Sequence, residues 1–414
     1  MKTWITYIAA LLFGVATTLL FGDMPTATNV IVSVSDYIVS LGVFITIPLI
    51  VFSFTSAIAS LRKDKVGGKL NGSVIGWSLV TSLLLPIAAG YLFYAFPTAF
   101  PVTSSAGTSP SILEYYAGMT SKNLTTGLMP YNPFFSIATA SDMILPILII
   151  SWIFGYALKP DSDTIRPAYA VMNSFSEVMF RISRFYTVYG FIFVYFTSSA
   201  FFMRLYQEKT MLVSPMFFLQ VIGIAVILMV VLIPFLFAIF TRFKKNPYGA
   251  MNRETASLLA GLTSGNLLFS LPIHLTLSRH NLGVQKRVSA SVSPWMVIIG
   301  RGGTAAISSV ATLSIIYALT GALDPVVVIM VALAAFLVSF TAFTSLGFEV
   351  MLAVHFILRV LNINLYGAEV AVIALIPLLN GIGTMIDAAL MTLGTKIAGT
   401  AIDTDISTPY QDQI

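Results

Sequence analysis

The chain has 414 residues, of which 57% are hydrophobic and only 9% charged, with a mean hydropathy of +0.90. That balance excludes a soluble globular domain. The net charge of +5 sits in short basic clusters between apolar runs, the pattern of membrane topology rather than of a nucleic-acid surface, and the absence of cysteine excludes disulfides, thiol catalysis and cysteine metal sites.

Residues 4–22 join a short basic start to an apolar run that outlasts a signal-peptide core without a clear cleavage site, which predicts an uncleaved first span. Residues 37–61 and 74–96 are each long enough to cross about 30 Å of hydrocarbon as helices. Between them Arg62, Lys63, Lys65 and Lys69 mark a cytoplasmic loop and place the N-terminus inside. Residues 97–130, rich in Pro, Ser, Thr and Gly, predict a long outer loop. The fourth span is expected over 132–158, punctuated by Pro133 and Pro146 and carrying Asp142. A fifth follows over 168–201, where Arg181 and Arg184 share a helix face. The sixth, over 213–240, ends at Arg242, Lys244, Lys245 and Arg253.

Residues 255–277 are apolar but carry a polar tip at Gly265, Asn266 and Ser270, with Pro272 beyond it. Basic residues flank both ends: Arg253 before, then Arg279, Lys286 and Arg287 after. A single crossing cannot put both flanks on one side, so the segment is expected to enter the bilayer and return as a re-entrant hairpin. The seventh span, 290–319, is interrupted by Trp295–Ala305, WMVIIGRGGTA. A guanidinium at the bilayer centre costs at least about 2.5 kcal/mol, so Arg301 must face protein, a partner charge or water. Gly300, Gly302 and Gly303 favour a break in the helix, and irregular backbone at that depth survives only where it is buried in protein or lines a cavity. A broken helix carrying a buried charge points to a transporter binding site; the plainer alternative is a kinked span whose Arg301 pairs with a neighbouring helix. Residues 325–363 form a second long apolar run, broken at Thr344, Ser345 and Gly347, with acidic Asp324 and Glu369 around it and no basic cluster. It reads as the mirror hairpin, entering from outside. The last span, 370–398, is expected to be interrupted at Asn380, Gly381, Gly383 and Asp387, with the tail ending inside. A hairpin followed by a broken span, twice and from opposite sides, reads as an inverted repeat.

Several stretches then coincide with one family. The fourth-span NPFFSIATASDMILPILIISWIFG carries an Asn-Pro-Phe, Leu-Pro and closing Gly spacing, and AVMNSFSEVMFRISRFYTVYGFIFVY follows in the fifth span. Pro272 and Pro294 flank the first tip and the seventh-span break, beside GRGGTA and TSLGFEVML. In these features the chain resembles the dicarboxylate/amino acid:cation symporter family, the glutamate transporter homologues. The resemblance implies an all-α integral membrane protein with eight transmembrane helices plus two re-entrant helical hairpins in inverted repeats. It also implies an elevator-type transporter, a homotrimer in the cell inner membrane with both termini cytoplasmic. On that plan residues 1–70 are scaffold spans one and two, 71–100 the third span in the transport domain, and 101–131 an extracellular loop. Residues 132–210 are scaffold spans four and five, and 211–414 the rest of the transport domain.

The departures from the family pattern fall at its ion and substrate positions. Gly300 and Gly302 stand where the resemblance implies a sodium-binding Asn and Asp, and Arg301 where it implies Met. Asn380 replaces the Asp that meets a substrate amino group, Gly383 the Arg that meets a side-chain carboxylate, Asp387 a sodium-coordinating Asn and Met391 a sodium-coordinating Asp. Losing carboxylates that bind a hard cation while gaining one fixed guanidinium argues, on charge balance, that Arg301 substitutes for bound sodium, with Asp387 as its partner. Asp387, Glu349 and His274 are the candidates for proton coupling, since carboxylates and imidazoles are the usual intramembrane relay groups; a structural hydrogen-bonded role is the alternative for His274. Substrate contacts are expected from Asn266, Ser270, Thr304, Thr344, Ser345, Gly347, Asn380 and Thr384. No Ser-His-Asp order, H-E-x-x-H or nucleotide loop is present, so no catalytic or metal residue is assigned and no cofactor beyond a coupling ion, H+ in preference to Na+. The expected function is secondary active transport of a small organic solute of the amino acid or organic acid class, neutral solutes included. The partners are that solute, the lipid bilayer and further copies of the chain, with no nucleic acid. The alternatives are a sodium-coupled symporter and a channel-like anion pore.

Overall fold

The computed structural model describes residues 2–100, 144–207, 215–340, 349–362, 368–402 and 413–414. Every regular element among them is helical, as hydrocarbon requires of a chain that must satisfy its own backbone polar groups. The first three helices are α1 (Thr3–Phe21), α2 (Pro25–Lys63) and α3 (Gly67–Ala95), followed by α4 (Leu145–Ala157), α5 (Arg166–Gln207) and α6 (Pro215–Phe240). A short helix α7 (Pro247–Arg253) leads into α8 (Thr255–Ser264) and α9 (Leu267–His280). Then come α10 (Lys286–Ile299), α11 (Gly302–Thr320), α12 (Pro325–Ser339), α13 (Glu349–Val360) and α14 (Ala368–Ala401).

Seven segments among the described residues are long and apolar enough to cross a membrane: 3–21, 25–63, 67–95, 166–207, 215–240, 286–320 and 375–401. The fourth expected span is described only over α4, so Asp142 lies outside the described residues. The helix α2 starts at Pro25 rather than at residue 37. Proline suits a first helical turn because it has no N–H to lose there, and the charge of Asp36 is offset by Arg204 Nη2 at 2.7 Å. A π-helical turn at Leu228–Leu232 interrupts α6.

The expected first tip forms a tight reversal. Gly265 takes the left-handed conformation (φ +61°) that closes α8, and Asn266 caps α9 by accepting from Leu268 N–H at 2.8 Å. The two helices pack against each other, and neither is long enough to cross a bilayer alone. Between α12 and α13 the second tip, with Thr344, Ser345 and Gly347, lies outside the described residues. The seventh span is broken at Gly300 and Arg301, as expected, whereas the last is not: α14 runs unbroken from Ala368 to Ala401. The expectation of an interruption at Asn380–Asp387 fails because tertiary packing outweighs the roughly 1 kcal/mol that each glycine takes from a helix. Gly381 and Gly383 serve close approach instead; a Cβ on Gly381 would sit 2.4 Å from the Leu262 carbonyl oxygen of α8.

The helices α1, α2, α4 and α5 pack chiefly on one another, and α3 packs with α11, α12 and α14. Burial singles out the centre: 83% of the most apolar window of 286–320 is buried and 89% of that in 375–401, against 22% for α1. Outward side chains such as Phe13, Leu19, Phe44 and Phe185 stay exposed and apolar, suited to lipid rather than water. Trp77 Nε1 donates to the Leu390 carbonyl at 3.0 Å, tying α3 to α14 at the core.

Candidate functional site

The centre of the site is the start of α11. A helix N-terminus presents unpaired N–H groups and partial positive charge, and here the acceptor is Asp387 of α14. Gly303 N–H donates to Asp387 Oδ1 at 2.6 Å, Thr304 N–H to the same oxygen at 3.2 Å, and Thr304 Oγ1 to Oδ2 at 2.6 Å. Glycine at 303 makes this approach feasible, since a Cβ there would lie 2.5 Å from the Gly383 carbonyl oxygen and 2.6 Å from Ile386 Cβ. Thr304→Val removes the hydroxyl donor and nothing else of similar size. It should lower stability by about 1.5–3 kcal/mol, the range for a hydrogen bond to a charged group, as read by thermal unfolding of the purified protein.

Arg301 occupies the position just before α11 and is 4% exposed. Its Nε donates to the Val297 carbonyl at 2.7 Å. Its carboxylate neighbour corrects the sequence expectation: Nη1 lies 3.7 Å from Glu349 Oε1 at the start of α13, and no ion pair joins Arg301 to Asp387 among the described residues. Asp387 is hydrogen-bonded by the start of α11, and the guanidinium turns to α13. At 3.7 Å the contact is electrostatic rather than a hydrogen bond, and Arg301 Nη1 has no hydrogen-bond partner among the described residues.

Asn380 joins the α8–α9 reversal to α13. From α14 its Nδ2 donates to the Gly265 carbonyl at 2.6 Å and to Glu349 Oε2 at 2.9 Å, while its Oδ1 accepts from Val350 N–H at 3.1 Å. One amide thereby fixes the tip of the α8–α9 reversal and the first turn of α13. Beside Asn380 and Gly265 a cavity of about 400 Å³ opens, with Asp36 and Arg204 in its wall. The sequence alone points to neither residue.

The remaining expected substrate positions divide. Asn266 is spent on the α9 cap, and Ser270 Oγ donates to the Leu267 carbonyl at 2.9 Å. Thr384 is buried with a hydroxyl that has no hydrogen-bond partner among the described residues, on the stretch of α14 where Gly383 approaches Thr304. His274 lies apart from Arg301 in a buried cluster of its own. Its Nδ1 is 3.2 Å from Glu254 Oε2, and its Nε2 is 3.0 Å from Ser293 Oγ and 3.2 Å from Thr395 Oγ1. Glu254 was missed in the sequence, where it reads as a loop charge beside Arg253. The signal was present: Glu254 and His274 are equidistant from Ser264, so a hairpin folded there brings them face to face.

A family model described as the sodium:dicarboxylate symporter family matches residues 3–403. No curated protein matches the chain.

Proposed function

The chain belongs to the sodium:dicarboxylate symporter family, and on that footing we propose that it is an elevator-type secondary transporter whose coupling does not use sodium. Multi-pass membrane transport of a small solute follows from the family and the apolar helices. In the proposed architecture α1, α2, α4 and α5 form a trimeric scaffold, while α3, α6 and α8–α14 form the moving body. The packing preferences of these groups support that division. The α8–α9 and α12–α13 segments are re-entrant, and both termini face the cytoplasm of a cell whose inner membrane holds the protein.

The observation that carries the sodium-independent reading is Arg301, a buried guanidinium at the break of the central helix, set against Glu349. A permanent cation there does by covalent attachment what a bound cation does by affinity, drawing the second hairpin onto the core. The ligand set for a hard cation is correspondingly thin: Gly300, Gly302 and Met391 offer no side-chain oxygen, and Asp387 is already held by three donors. Arg301 Nη1 and Thr384 Oγ1 remain as buried polar atoms that a solute can satisfy. Together they favour a small organic solute with a carboxylate, of the amino acid or organic acid class, reached through the cavity beside Asn380.

The test is thermal unfolding of purified protein in sodium-free choline buffer with L-aspartate, L-glutamate, L-serine, succinate or pyruvate, repeated with sodium and across pH. A ligand at a hundred times its dissociation constant stabilises by about 2.7 kcal/mol. Stabilisation without sodium is the expected result, and stabilisation that appears only with sodium sinks the proposal. Single-channel currents without saturable uptake would replace the transporter by an anion pore.

A further inference from the structure

We propose that Glu254 and His274 hold the coupling proton of this transporter, as a shared site separate from the Arg301–Glu349 centre. The inference rests on the transport reading above, and it starts from a contrast among the buried carboxylates. Asp387 faces two backbone N–H groups and a threonine hydroxyl, and Glu349 faces Arg301 and an asparagine amide. Those partners keep their protons. Glu254 faces the His274 imidazole, a partner that can itself take up or give up a proton, and both side chains of the pair are fully buried.

The surroundings suit both protonation states. His274 Nε2 meets two hydroxyls, Ser293 and Thr395, and a hydroxyl turns to donate or accept according to the ring's need. Among the described residues Glu254 Oε1 is buried and has no hydrogen-bond partner, and Ser257 Oγ, one turn further along, is likewise buried and unpartnered. These two atoms are the unsatisfied acceptor positions at which an incoming proton would find a partner. The permanent charges on the packed elements point elsewhere: Arg253 donates to the Asn281 carbonyl, Lys396 to the Leu282 carbonyl, Lys286 to Glu177 and Arg287 to Asp64. Among the described residues His274 is the charged partner that faces Glu254.

The charge balance supplies the coupling. With one shared proton the pair is neutral overall and compatible with full burial. When the proton leaves, breaking an N–H or O–H bond and passing to water, the pair carries a net negative charge that is costly to keep buried. Release must then accompany a movement that wets the basic-flanked end of the hairpin. The pair also clamps four segments at once, α8, α9, α10 and α14 through Glu254, His274, Ser293 and Thr395, so its charge state reaches the Gly265 tip through both arms.

The experiment uses full-length protein in proteoliposomes, with radiolabelled L-aspartate and succinate as probes and the exterior made acidic. Wild type should accumulate label above the equilibrium level, and a protonophore should abolish the excess. Glu254→Gln, nearly isosteric, should lose gradient-driven accumulation yet keep exchange of external for preloaded label, and His274→Gln should do the same. Accumulation retained in Glu254→Gln overturns the proposal, as does a parallel fall of exchange and uptake, which would mark a structural tether. Neither exchange nor uptake in wild type would instead fail the transport reading, and infrared difference spectra then decide the proton site alone. Across a pH titration, wild type should show a carboxylic acid band that Glu254→Gln lacks. An identical band in the two proteins overturns the assignment.

Discussion

Arg301→Met should abolish transport and destabilise the protein by about 3–5 kcal/mol, the cost of leaving one member of a buried ion pair without its partner. The stranded group is Glu349, 5% exposed, which would keep only the Asn380 amide and its own helix start. Methionine fills much of the volume, so the loss is electrostatic rather than a cavity effect. The geometry fixes which second change rescues it. Adding Glu349→Gln removes the unpaired charge and retains an acceptor for Asn380, and it should recover most of the lost stability. Adding Asp387→Asn should recover less, because Asp387 keeps its three α11 donors when the Arg301 charge is lost, whereas Glu349 does not have them. A double-mutant cycle read by thermal unfolding isolates the pair term. Rescue by Asp387→Asn alone would restore the pairing expected from sequence, and normal transport by Arg301→Met would remove Arg301 from the mechanism.

Asp387→Ala should cost about 3 kcal/mol or more. It deprives two buried N–H groups and one hydroxyl of their acceptor, each worth about 1–3 kcal/mol when stranded, with partial relaxation offsetting some of the sum. The change also withdraws negative charge from the α11 N-terminus. Asp387→Asn separates the two contributions, because it keeps an oxygen for Gly303 while losing the charge, and it should cost roughly 1–2 kcal/mol. Unfolding midpoints of the three proteins, measured without added solute, decide the matter. A near-neutral Asp387→Ala would mean that the carboxylate does not hold α11 in place, and would reopen it as the proton carrier in place of Glu254.

These two residues show where sequence reading reached and where it stopped. Arg301 was identifiable from local chemistry alone: a guanidinium flanked by glycines in an apolar run is costly unless the helix breaks and the charge is housed. The reversal at Gly265–Asn266 was legible from the basic residues that flank both ends of 255–277, and the structure closes it with a left-handed glycine and a capping asparagine. The last span misled. Its glycines and asparagine lower local helix propensity, yet α14 is continuous because its surface is almost wholly packed, and the glycines admit α8 and α11 closely.

By itself the sequence determined that this is a multi-spanning helical membrane protein, where most spans lie, and that the seventh is broken around a charge. Hydrophobic length and local backbone chemistry suffice for each of those. Tertiary structure alone decided that Arg301 lies in ion-pair range of Glu349 rather than Asp387, that Asn380 ties the Gly265 reversal to α13, and that Glu254 faces His274. Ion pairing and hydrogen bonding depend on distances of about 3–4 Å between residues remote in the chain, and several carboxylates at similar depth look alike until packing fixes which one each donor reaches.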